Sequence, residues 1–528
     1  MPSVEIDDLT SKGVILDEPA YQLPPEAWSS GVNCRAFANG LESLGGLTGT
    51  LGTNPRSGGD SPVFVQYVSG PSQPWWLWTS LTDAYVYDGS SDTKITRNVG
   101  GTTYSATDAK DWWGCILGGV PILGTREDIP QFWNSYVTST KLANLTNWPA
   151  GLTARVVRNF GPYLLALNTT LSGTNTPHRV RWSSSASPGT LPSTWDFTDA
   201  THDAGQTDLQ DVNSGIILDG AELQGQFFIY KENAVWRVQF IGGQFIFSFQ
   251  SFLETAGLLC TRGVAMTGDG LRHCFVSQDD IVVHNGYLAE SVLNKRMKRY
   301  LFNLMDTSHY DTSFMFCNPL YEEMWFCFPT QGALEPNHAI IWNYRYNTLS
   351  EADSTYVGFC AAALGTVTTS SNLPWSAATQ TWQSDPNPWV TAQRRKTVLA
   401  NQNSKKLLAL DTGTTNDGTS FNTLLQRTGL GIIGRKRSGE WLEDFEIRKL
   451  TQRVWPKVAQ GSCNVRVGYQ DLPNGAVTWT PYRAFDPTLI AYVDGCLGSG
   501  RSMAIEFSGP NFFHFDGYKI DLATTGKF

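Results

Sequence analysis

Charge is scarce in this chain. Only 16% of its 528 residues are Asp, Glu, Lys or Arg, well under the usual quarter or so. Disorder, a coiled coil or a helical array would need a different balance. The formal net charge is −9, which argues against a sequence-specific DNA binder with a broad basic face. It does not exclude a wall past which DNA slides, because lysines would trap DNA by counterion release and a neutral or acidic wall would not. Histidine is rarer still, at seven residues, and no two sit at metal spacing on a clear element. The nine cysteines are scattered and form no CxxC pair, so zinc is not expected. In their apolar contexts they read as free buried thiols of a chain folded in a reducing compartment. No apolar run approaches a membrane span. The first residues lack the basic region and apolar core of a signal peptide, so assembly in the cytoplasm is expected.

Catalytic patterns are missing too. No glycine pair carries Walker or dinucleotide spacing, and there is no G-x-S-x-G elbow and no H-E-x-x-H. Asp108, Asp111, Asp128, Asp211, Asp219, Asp279, Asp280, Glu322 and Glu323 are carboxylates of the right type for glycoside hydrolysis, but no motif singles them out. His202-Asp203 lies in a turn-rich stretch and reads as a surface loop. We expect no catalytic, metal-binding or cofactor-binding residues, and no enzyme.

What the chain has in quantity is aromatic side chains, 12% of the total, and 50 glycines. Both suit many short strands joined by tight turns. Hairpins recur, as at Ala84–Gly89, Tyr163–Asn168, Phe227–Val238, Cys274–Val283, Met324–Tyr344 and Lys406–Asp411. Their strands are apolar on both faces. Radial repetition buries both faces of small sheets and leaves short edges. The expected fold is therefore all-β: a β-propeller-like core with irregular blades over 59–434, with a pair of β-sandwiches as the alternative. After residue 440 the strands alternate apolar and polar side chains, the mark of one wet face. A C-terminal antiparallel β-sandwich is expected over 435–528. Two insertions interrupt the core. Residues 289–305 carry Val292, Leu293, Met297, Tyr300, Leu301 and Leu304 at helical spacing, with Lys295, Lys298 and Arg299 opposite. That face is either simply solvated or turned to DNA or an acidic partner. Residues 365–390 form a Trp-rich loop whose Trp375, Trp382 and Trp389 either pack locally or contact a partner or glycan.

Residues 1–58 read as an N-terminal arm. Leu23-Pro24-Pro25-Glu26-Ala27-Trp28 is stiff and extended, and Trp28 is a large apolar anchor on a stretch too polar for its own core. Val32-Asn33-Cys34-Arg35 restarts a strand. The arm either docks on a partner or caps its own domain. As a docking contact its residues would be Leu23, Pro24, Pro25, Trp28 and Arg35.

These segments together resemble the tail-nozzle, or packaged-DNA stabilisation, family of short-tailed bacteriophages. The resemblance rests on the arm from Leu23 to Arg35 and on the hairpin around Phe228–Arg237. It rests also on 289–305 followed by Asn318–Phe326 and Ile340–Tyr344, and on the alternating C-terminal strands. The stretch Ala36–Gly46 departs from the basic, Pro-Gly-containing strand that often follows the arm in that family. The resemblance implies a homo-hexameric ring in the virion tail, below the portal and its adaptor. Such a ring retains the packaged genome, lets DNA out through its channel without sequence-specific binding, and meets other tail proteins such as fibres or spikes. At its distal tip it would contact the host envelope. The alternative is a carbohydrate-binding or glycan-cleaving propeller at the host cell surface.

Overall fold

Six four-stranded antiparallel sheets and the first four strands of a ten-stranded sheet follow one another along the chain. They span 64–94, 113–144, 152–208, 217–253, 264–291, 314–352 and 361–409. The first strand of each lies against the first strand of the next, and Ala361–Thr366 lies against Phe64–Ser69. The sheets are therefore the blades of a closed seven-bladed propeller. This computed structural model describes residues 3–526 apart from 8, 10, 11, 38, 39, 55, 57–59, 72, 98–102, 211–213, 244, 295, 368–394, 473, 474 and 511.

Blade 4 shows why such sequences fold this way. Gln224 and Gly225 both adopt positive φ, the geometry of a two-residue hairpin turn. The turn sets Phe227 opposite Glu222 and Ile229 opposite Gly220. Phe227, Phe228, Ile229 and Tyr230 are all fully buried, because a neighbouring blade covers each face of the sheet. The ring is closed by a segment from far upstream. Thr48–Gly49 pairs with Lys406–Ala409 and supplies the outer strand of blade 7.

The C-terminal strands do form a two-sheet sandwich, but not alone. Blade 6 ends at Thr348–Ala352, and Ser30–Val32 pairs with it in parallel through Val32 and Glu351. On its other edge Ser30–Val32 pairs with Thr423–Leu430. Ser502–Gly509 and Cys463–Gln470 continue the same sheet. The facing sheet runs Cys34–Phe37, Gly40–Ser43, Phe513–Gly526, Arg448–Gly461 and Val493–Gly500, with Ser3–Ile6 also on Phe513–Gly526. Residues 1–58 are thus no separate arm, and the sandwich is built from both chain ends rather than from 435–528. The reason is that the alternating C-terminal strands leave apolar faces and sheet edges that only the N-terminal strands complete.

The helix is shorter than its periodicity predicts, Lys298–Leu304. Ala289–Ser291 is instead the outer strand of blade 5. Val292, Leu293, Met297 and Leu301 are buried as the spacing requires, but the helix begins only where a cap exists. Asp17 provides it, accepting from the backbone N–H groups of Arg299 at 2.7 Å and Tyr300 at 2.9 Å. All nine cysteines are free, and all but Cys317 are buried.

Trp28 is 1% exposed. Its ring centroid lies 6.3 Å from Phe507, 6.1 Å from Phe515 and 6.2 Å from Tyr518, all in the sandwich. Trp28→Ala should cost about 3–5 kcal/mol of stability, read as a lower urea midpoint of the isolated chain. An unchanged midpoint would show that the aromatic cluster holds without it.

Candidate functional site

The docking contact expected on the arm is not on the surface. Leu23, Pro25, Trp28 and Arg35 are buried and Pro24 is half-buried. The Pro-Pro turn is fixed by Arg427, whose guanidinium donates to the carbonyls of Ala20 at 2.8 Å, Leu23 at 2.7 Å and Pro24 at 3.4 Å. Burial pushes the Arg427 pKa down to about 10. The arm caps its own domain: the sandwich supplies the apolar pocket that the arm's polar neighbours could not.

Arg35 joins three parts of the chain. Its Nε lies 3.0 Å from Glu323 on blade 6, and its Nη1 lies 2.7 Å from Asp411 just past blade 7. Its guanidinium carbon also sits 3.8 Å from the centre of the Tyr321 ring. Asn318 Nδ2 donates to Asp411 at 2.8 Å, and Trp325 Nε1 to Glu323 at 3.0 Å. One cation thus serves two buried carboxylates. Burial, opposed by Arg35, pushes the Glu323 pKa up to about 7.

The basic face is not brought together. Lys298 pairs with Asp279 at 3.1 Å and Asp280 at 3.7 Å, Arg299 is exposed, and Lys295 lies outside the described residues. So do Trp375, Trp382 and Trp389. Among the described residues no group of three His, Cys, Asp or Glu side chains is placed to hold a metal.

Two features stand out that the residue patterns did not reveal. In a four-stranded meander the loops after the first and third strands share one end of the ring. On blades 3 to 6 those loops carry Phe197, Ile241, Phe245, Leu271, Tyr287, Leu288 and Leu320, all exposed; Phe245 is 70% and Tyr287 69% exposed. The loops adjoin. Phe197 and Phe245 line one groove with Trp182, His202 and Asp203. Gln224 Nε2 donates to Leu271 O at 3.0 Å, and Gly268 packs so tightly on Pro319 that a Cβ would come within 2.7 Å. This crown of apolar tips was hidden because each tip sits beside turn residues, as in Gly286-Tyr287-Leu288 and Pro319-Leu320. An apolar side chain next to a Gly or Pro turn was the available signal.

The second feature is a cavity of about 390 Å³ at the ring's centre, lined by first strands of all seven blades. Arg158 donates to both carboxylate oxygens of Asp219, from Nε at 2.9 Å and Nη2 at 3.0 Å. In its wall His273 belongs to a hydrogen-bonded chain. Gly286 N–H donates to His284 Nδ1 at 3.2 Å, so the His284 proton is on Nε2, which donates to Tyr230 Oη at 2.8 Å. Tyr230 then donates to His273 Nδ1 at 2.8 Å, and His273 Nε2 donates to Glu222 O at 3.1 Å. The chain needs both imidazoles neutral. Burial pushes His273 down to about 4, and burial with the neighbouring His273 pushes His284 down to about 3.

Arg35→Met should cost about 3–5 kcal/mol, because it strands two buried carboxylates. Adding Glu323→Gln and Asp411→Asn should recover part of that loss in urea unfolding; no recovery would mean that packing, not charge, sets the effect. The histidine chain fixes a pH dependence. Both folded pKa values lie below the ordinary 6.5, so its contribution is present above pH 6.5 and is lost as pH falls through about 4 toward about 3. His273→Gln should flatten the acid limb of the urea midpoint against pH, and an unaltered limb would place the proton uptake elsewhere.

No protein-family profile matches the sequence, and no curated protein does. Solved structures do. The extracellular domain of the putative one-component system BT4673 from B. thetaiotaomicron is 9% identical with a TM-score of 0.38, over 69% of this chain and 40% of that one. This chain therefore matches well under two thirds of that domain. The WD40 β-propeller domain of Doa1 is 9% identical with a TM-score of 0.37, over 69% of this chain and 96% of that one. The N-terminal domain of Nup159 is 10% identical with a TM-score of 0.35, over 70% and 94%.

Proposed function

We propose that this chain is a structural subunit of the tail nozzle of a short-tailed bacteriophage. Six copies form a ring beneath the portal and adaptor, retain the packaged genome and give DNA its way out. The observation that carries the reading is the crown. Seven exposed apolar side chains on adjoining loops at one end of a rigid ring suit a protein that works by docking on others. The acidic balance of −9 suits a conduit that does not hold DNA. The crown replaces the buried arm as the assembly contact.

A second reading has its own support. The groove of about 790 Å³ between Phe197 and Phe245 combines aromatic faces with Asp199, His202, Asp203 and Gln206, which is the chemistry that holds a carbohydrate. A surface-glycan panel with no binding would end it.

Electron microscopy of the purified chain with portal and adaptor should show a hollow six-fold ring. The double variant Phe245→Asp, Leu288→Asp should keep the circular dichroism of the parent and lose the ring. A chain that stays monomeric and joins no portal–adaptor complex would overturn the nozzle reading.

A further inference from the structure

We propose that the central cavity binds a small organic anion, a carboxylate or phosphate ester on a flat apolar body, held by the Arg262 guanidinium. The inference stands apart from the nozzle reading, since a monomer can bind the anion and a ring need not.

The cavity's charges balance in number, Arg158 and Arg262 against Asp219 and Glu222, but only one pair of them is joined. Asp219 is fully engaged: Arg158 takes both oxygens, and the backbone N–H groups of Gly220 at 2.7 Å and Arg262 at 3.2 Å donate to it as well. Arg262 has no such partner. Its Nη1 donates to Cys360 O at 3.1 Å and its Nη2 to Thr312 O at 3.5 Å. Its Nε is buried without any partner. Among the described residues no carboxylate forms an ion pair with it. Burial accordingly pulls its pKa down. Asp108 and Glu335 act on it without pairing, and a half-buried cation with no carboxylate beside it is costly, so an anion entering the cavity would relieve that cost.

Backbone geometry points the same way. Arg262 has φ +69°, a left-handed conformation that a long side chain rarely adopts and that the surrounding structure must enforce. Next to it, Thr261 Oγ1 accepts from Arg155 Nε at 2.8 Å. Burial and the nearby Arg126 push Arg155 down to about 10. These cations raise the potential at the same end of the cavity. The acids acting on this group are Asp108, Asp111, Glu232, Asp311 and Glu335, of which Asp311 is taken by Lys110 at 2.6 Å and Asp108 shares that lysine at 3.7 Å.

The walls describe the rest of the ligand. Phe64, Trp113 and Phe314 give flat apolar surfaces and Met315 adds a further apolar one, and the Arg262 guanidinium carbon lies 5.7 Å from the centre of the Phe314 ring. The volume lies in the range of small-molecule sites, about 300–1,000 Å³. Glu222 stands three residues beyond Asp219 on one strand, about 10 Å along it. The cavity thus carries a cation at one end and a carboxylate at the other, which orients an anion toward Arg262.

The test uses the full chain, with phenyl phosphate, benzoate, benzyl alcohol and inorganic phosphate as probes in calorimetry and thermal shift. The two aromatic anions should bind saturably, and neutral benzyl alcohol should bind at least about tenfold more weakly, the loss of a charge-assisted contact. Arg262→Gln should weaken the aromatic anions by a similar factor. Ala265→Trp, which fills the cavity and leaves Arg262 in place, should abolish their binding and serves if Arg262→Gln does not fold. No saturable binding of either anion, equal binding of benzyl alcohol, binding of inorganic phosphate as tight as that of phenyl phosphate, or binding unchanged in Ala265→Trp would overturn the proposal. Arg262 would then be only a staple between blades.

Discussion

Everything in this fold hangs on the pairing of one three-residue strand. Ser30–Val32 has the propeller on one edge, through Glu351, and the sandwich on the other, through Leu424, Leu425 and Gln426. Its neighbours leave no slack. A Cβ on Gly31 would come within 2.5 Å of Val14, so the segment 13–17 can lie across it only if that residue is glycine. Asn33 follows with φ +53° and turns the chain out of one sheet into the other. Its side chain donates to Asp353 at 3.0 Å and to the carbonyl of Asn422 at 2.9 Å, and accepts from Asp353 N–H at 3.1 Å. That one buried amide ties the N-terminal strand to the end of blade 6 and to the start of the C-terminal half. The propeller and sandwich therefore share backbone hydrogen bonds, a stiffer joint than a linker or a side-chain interface.

Scarce charge has a structural meaning once the pairs are seen. Arg35 serves Glu323 and Asp411, Arg158 serves Asp219, and Arg97 serves Asp128 at 2.7 Å. Each pair joins strands or loops distant in sequence, and each is largely buried. Buried ion pairs give little net stability but penalise wrong arrangements heavily, since a misplaced blade leaves a charge alone. In a ring of seven similar sheets that selectivity matters. Apolar burial alone would accept one blade in the place of another.

What could be read from the sequence follows the range of the interactions. The blades were legible because a hairpin such as 227–238 makes its own register within a few residues, and because burial on both faces writes itself as an unbroken apolar run. The C-terminal strands were legible by their alternation, but Ser502–Gly509 has no wet face: every residue of it is buried, because it lies between two strands of its sheet and under the facing one. The helix was half legible: its apolar spacing was local, but its cap, Asp17, came from the arm. Trp28 was seen as an anchor, while Phe507, Phe515 and Tyr518 lay at the other end of the chain. Thr48–Gly49 closes the ring with two residues, too few for any periodicity to register. The candidate sites were least legible. Arg262 owes its interest to absent partners, and the crown to residues that look like ordinary turns.

The two candidate surfaces differ in what the ring does for them. The crown depends on the loops at one end, whose bases pack on one another but whose outermost side chains face solvent and can vary. The cavity depends on the first strands, where every blade contributes and a change in one shifts the wall of the next. Gly220 illustrates the difference: a Cβ there would meet Phe227 at 2.6 Å and Leu167 of the neighbouring blade at 2.9 Å. A loop tip such as Gly243 meets nothing within 4 Å. The centre is thus rigid and particular, the end tolerant and broad. A docking surface can tolerate the second condition, whereas a small-ligand site requires the first.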